Sequence, residues 1–67
     1  MNIFQENFYE KIVLLVNDIN NIIKIEYETA NITFSGDFLI INKFNPEDNS
    51  IESIPYNLKN IDKYKTF

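Results

Sequence analysis

The chain has 67 residues, a net charge of −4, an apolar fraction of 45% and ten aromatic residues, and it lacks cysteine, histidine, arginine and tryptophan. That bounds it to one domain with a small core, and it excludes disulfide staples, thiolate sites and His-based catalysis. A domain this small is marginal alone, which favours oligomerisation as a support.

In chain order, residues 3 to 19 read as a helix. Phe4, Phe8, Ile12, Leu15 and Ile19 recur at spacings of 4, 4, 3 and 4, one face of a 3.6-residue period. Tyr9 and Val16 widen that face, and Asn2 with Gln5 resembles a capping pair. Leu14 falls on the opposite side, either as a stray exposed apolar residue or as part of a second contact face for a subunit or partner. Asn17 to Asn21 is the expected stop.

Residues 22 to 28 alternate, with Ile23, Ile25 and Tyr27 on one face and Lys24, Glu26 and Glu28 on the other, as in a half-buried strand. Thr29-Ala30-Asn31 is an expected turn before a short strand over 31–35. Gly36, the only glycine, marks a tight turn. The run Phe38-Leu39-Ile40-Ile41 is apolar on both sides and is expected to be the central strand, spanning 38–44. A polar loop follows, then a strand over 51–55 that Pro55 ends or confines to an edge, then a single helical turn and a strand over 61–66. The expected fold class is α+β: an N-terminal amphipathic helix packed on a small antiparallel sheet of four to five short strands, as an open meander or a small bent barrel.

Ile51-Glu52-Ser53-Ile54-Pro55-Tyr56 followed by Ile61-Asp62 is similar in pattern to the final strand pair of Sm-like proteins. The element order also resembles that family, in which a helix precedes five strands and a single turn joins the last two. The resemblance implies a ring-forming barrel. The chain lacks the family's glycine-bearing first motif and its basic RNA-contacting positions, so no RNA site is carried over.

Catalytic groups are sparse. Ser35 precedes Gly36 without the strand–elbow–helix setting of a hydrolase serine and reads as a turn residue. Glu26 and Glu28 share one strand face, but it is the polar face, where carboxylates are ordinarily solvated. Asn45, Glu47, Asp48, Asn49 and Glu52 cluster oxygens without calcium-loop spacing. No catalytic residue, cofactor or metal is expected. The interface candidates are Leu14, Tyr9, Glu26, Glu28, Glu47, Asp48, Glu52, Tyr56 and Tyr64, against the plainer reading of core aromatics and dispersed solubilising charge.

The expected function is therefore a non-enzymatic, acidic protein-interaction module. Asn, Ile, Lys, Phe and Tyr make up 39 of the 67 residues, the mark of an AT-rich gene. On that ground the module is expected to be a phage- or mobile-element-encoded inhibitor of a host protein, acting by steric block or nucleic-acid charge mimicry. The first alternative is a ring or dimer holding a small ligand such as a nucleotide between subunits. The second is a structural subunit of a larger assembly. A protein partner is expected, homo-oligomerisation is open, and direct nucleic-acid binding is disfavoured by the acidic, arginine-free composition. The longest apolar run near the N-terminus, Ile12 to Val16, is too short for a membrane span, so no membrane association and a cytoplasmic location in a bacterial host are expected.

Overall fold

The computed structural model describes residues 8–67, and it is a β structure. Five strands run β1 (Tyr9–Asp18), β2 (Asn21–Ser35), β3 (Phe38–Asn45), β4 (Ser50–Asn57) and β5 (Ile61–Thr66), with a 3-10 turn, Leu58–Asn60, between the last two. They form one antiparallel sheet in the order β4-β3-β2-β1-β5.

The α+β expectation is overturned at its first element. Residues 9 to 18 of the expected helix are β1; residues 3 to 7 lie outside the described residues. The physical reason lies in Tyr9-Glu10-Lys11-Ile12-Val13-Leu14-Leu15-Val16. Ile12, Val13 and Val16 are β-branched and lose side-chain freedom in a helix but fit a pleated surface. The same run also carries a period of two, and that period won. Ile12 and Leu14 are fully buried with Val16 packed beside them, while Val13 and Leu15 between them are only half-buried and Lys11 before them is exposed. A helical stripe through Ile12 and Leu15 would have left Leu14 outside. Leu14 is core, so it is not an interface residue.

The second correction concerns Thr29 to Asn31. No turn divides this stretch; β2 runs unbroken through it for 15 residues. Thr29 sits at φ +50°, a left-handed conformation in the middle of a strand. It rotates the chain so that the inward side changes parity, from Ile25 and Tyr27 before it to Ala30 and Ile32 after it. Ala30 marks the change of partner. Before it β2 pairs with β1, after it with β3, and Ala30 itself stands opposite both Tyr9 and Lys43. The sheet is thereby bent double around a five-residue buried cluster: Ile12, Leu14, Ala30, Leu39 and Ile41.

The strand from Phe38 is interior but not central; β2 holds the middle of the order. Leu39 and Ile41 are buried, whereas Phe38 remains 45% exposed, so this strand buries one face as β1 does. No ladder joins β4 to β5, which are the two ends of the sheet. A single turn does join them in sequence, as in the element order of Sm-like proteins, but the first strand occupies residues expected to be helical.

Candidate interaction surfaces

The bend in β2 creates the first surface. Where β2 parts from β3, a recess opens between the β2 residues Glu26, Tyr27 and Glu28 and the β3–β4 loop with Glu47 and Asp48. Lys11 and Lys43 also line it. Lys11 lies 2.7 Å from Glu26, and Lys24 reaches the same carboxylate at 3.5 Å. The hydrogen bond to Lys11 holds the Glu26 carboxyl below its usual range, and the same contact raises Lys11. Asp48 is fixed by Ser50, whose hydroxyl donates to Oδ1 at 2.6 Å and whose N–H donates at 3.1 Å. Those bonds lower the Asp48 carboxyl. Asn49, at φ +58°, closes the loop between them.

At the inner edge of this region the Tyr27 and Tyr56 hydroxyls share a hydrogen bond across the fold of the sheet. Burial, then the bond to Tyr56, pushes the Tyr27 hydroxyl well above the ordinary tyrosine range, and the charge of Glu52 adds to it. The structure thus brings Glu26, Glu28, Glu47 and Asp48 to one recess and places Glu52 within electrostatic reach. Tyr56 is half-buried and belongs to the packing around the core rather than to the surface.

Tyr9 and Tyr64 go elsewhere. They border a second recess with Asn31, Ile32, Phe34 and Thr66, and no residue lining it is charged. Tyr9, Phe34 and Tyr64 are 44%, 55% and 45% exposed, and the Phe34 and Tyr64 rings lie 6.1 Å apart.

Three features escape the sequence reading. Lys11 and Lys65 both approach the Phe67 ring, at 5.9 and 5.3 Å from its centre. Asn42 ties three strands together: its Nδ2 donates to Asn31 Oδ1 and Thr33 Oγ1, and its Oδ1 accepts from the Ser53 hydroxyl. Cross-strand rows of this kind need the register, which no single strand reveals. The third is the β1–β2 hairpin tip, where Ile19 is 95% exposed. The signal there was Ile19-Asn20-Asn21 between two β-branched runs, a hairpin pattern hidden by the helical reading.

Among the described residues, no group of three or more His, Cys, Asp or Glu side chains is arranged to hold a metal ion, and no helix is long and apolar enough to cross a membrane. Comparison with protein-family models, with curated proteins and with solved structures gives no match.

Proposed function

We propose that the chain is a non-enzymatic interaction module that docks on a basic protein surface through the acidic recess between β2 and the β3–β4 loop. The observation that carries this reading is convergence. Glu26 and Glu28 come from one strand and Glu47 and Asp48 from a loop about twenty residues on, yet all four line one recess. Lys11 is engaged by Glu26, which leaves the carboxylates of Glu28, Glu47 and Asp48 in excess over the one remaining lysine of the recess, Lys43. Asp48 is held in place by Ser50, so little order must be gained when a partner's lysine or arginine arrives. In a phage-encoded setting such a module would inhibit a host protein by covering, or by imitating the ligand of, a nucleic-acid site.

The probe is a short fluorescent peptide of alternating arginine and serine, followed by anisotropy at several salt concentrations. The triple variant Glu28→Gln, Glu47→Gln, Asp48→Asn is expected to bind about tenfold more weakly or worse, with a flatter salt dependence. Equal affinity and an equal salt response in the two proteins would sink the reading.

One observation favours the alternative of a ring or dimer with ligand sites between subunits: the outer edges of β4 and β5 are free of partner strands among the described residues. Native mass spectrometry separates the two. A closed oligomer carrying a bound small molecule supports assembly around a ligand, and a bare monomer removes that alternative.

A further inference from the structure

The second recess is set apart by what its lining lacks. Charged residues make up 24% of the chain, yet none borders it. It therefore offers no ion pair to a phosphate, a carboxylate or an ammonium group, and the ligand it suits is neutral. Its exposed lining is mostly polar, with Asn31, Thr33 and Thr66 beside the rings of Tyr9, Phe34 and Tyr64. Its volume of about 670 Å3 lies in the range of small-molecule sites.

Two of the polar groups are set by a third. Asn42 of β3 donates from Nδ2 to Asn31 Oδ1 at 2.7 Å and to Thr33 Oγ1 at 2.8 Å. Both oxygens are used as acceptors, which leaves the Asn31 amide hydrogens and the Thr33 hydroxyl hydrogen as donors. Asn42 is itself anchored, since its Oδ1 accepts from the Ser53 hydroxyl at 2.8 Å. Donors fixed before a ligand arrives lose little freedom on binding. Thr66 adds a hydroxyl that can donate or accept.

The aromatic side narrows the ligand further. The Phe34 and Tyr64 rings lie 6.1 Å apart but are tilted by 54°. Rings so inclined make a corner rather than a parallel-walled slot, so they do not clasp a flat heterocycle on both faces. A corner suits a puckered ring, whose C–H groups rest on one aromatic face while the hydroxyls on its rim reach the polar side. Tyr9, Phe34 and Tyr64, at 44–55% exposure, leave those faces accessible.

We infer that this recess is a binding site for a neutral saccharide, with the Phe34 and Tyr64 rings against its C–H face and Asn31 and Thr33 donating to its hydroxyl oxygens. The site shares no residue with the acidic recess, so it stands or falls independently of the docking proposed above.

Amide-proton NMR titration of the full chain with three neutral trisaccharides, maltotriose, cellotriose and triacetylchitotriose, tests this. At least one is expected to give saturable shifts centred on residues 31–34 and 64–66 at millimolar concentration. Phe34→Ala removes a ring that stands at the surface and is expected to weaken that binding about tenfold or more. Asn31→Asp keeps the acceptor for Asn42 but removes the amide donors, and is expected to weaken it likewise. Trigalacturonate, which carries carboxylates, should bind more weakly than the neutral sugars. No saturable shift with any of the three neutral trisaccharides overturns the inference. So do shifts centred away from the recess, undiminished binding in either variant, or tighter binding of trigalacturonate. Saturable shifts with adenosine and none with the sugars would make the occupant a planar heterocycle and overturn the saccharide assignment.

Discussion

Tyr27 shows how one residue ties the acidic surface to the core. Its ring packs against the buried cluster while its hydroxyl meets that of Tyr56. Its ionisation is pushed upward in the folded protein, so the neutral form is the one that folding favours. Stability from this group is complete below the unfolded tyrosine pKa of about 10 and declines as pH rises above it. Urea midpoints should therefore fall between pH 8 and pH 11 in the wild-type protein. In Tyr27→Phe the fall should be shallower, on a baseline lowered by about 1 kcal/mol at pH 8 for the lost hydrogen bond. Equal slopes in the two proteins would contradict the assignment. Ile19 shows the opposite balance. It stands at φ +54°, and removing that strain by glycine should raise stability by about 1 kcal/mol, visible as a higher melting temperature.

At the scale of the element, β1 carries the clearest prediction. Leu14→Ala in a buried strand position should cost about 2–5 kcal/mol, a large part of what a domain this size possesses. Were the segment helical with Leu14 outward, the change would fall within about 0.5 kcal/mol. Equilibrium unfolding in urea distinguishes the two. The segment also shows what the sequence could and could not reveal. From Ile12 to Val16 every residue is apolar, so periods of 3.6 and of 2 both fit, and neighbouring strands decide between them. Phe4 and Phe8 lent the helix its regularity from outside β1. The alternation around Tyr27 and Ile32 was legible, as were the glycine turn at Gly36 and the polar loop after Asn45. The shift of parity at Thr29 was visible too, but it reads as a turn because a left-handed threonine inside a strand is rare. The candidate site is legible as residue types: the acidic residues stand out, whereas their meeting depends on the bend at Ala30, and Ile19 falls on the apolar face of the helical pattern.

Over the whole molecule, β2 divides the work. Its first half belongs with β1 and β5, its second with β3 and β4, and the two halves of the sheet meet over five buried side chains. So small a core leaves much aromatic surface outside: Phe34, Phe38, Tyr64 and Phe67 remain 45–56% exposed. The acidic recess and the aromatic recess have different linings, with no residue in common. A variant that disrupts one should leave the other able to bind.

The backbone bonds between Glu10 and Phe67, and between Phe67 and Lys11, hold the start and the finish of the sheet side by side at 3.0 and 2.9 Å. Chain order is thus separable from architecture. A circular permutant of residues 8–67, spliced across that junction with a short glycine linker and opened in the exposed β3–β4 loop between Glu47 and Asp48, would keep every ladder in place. It should give the same far-ultraviolet circular dichroism spectrum as the parent. It would also turn β5 into an internal strand of the gene, so that its pairing with β1 becomes a local hairpin and the slowest contact to form becomes one of the quickest.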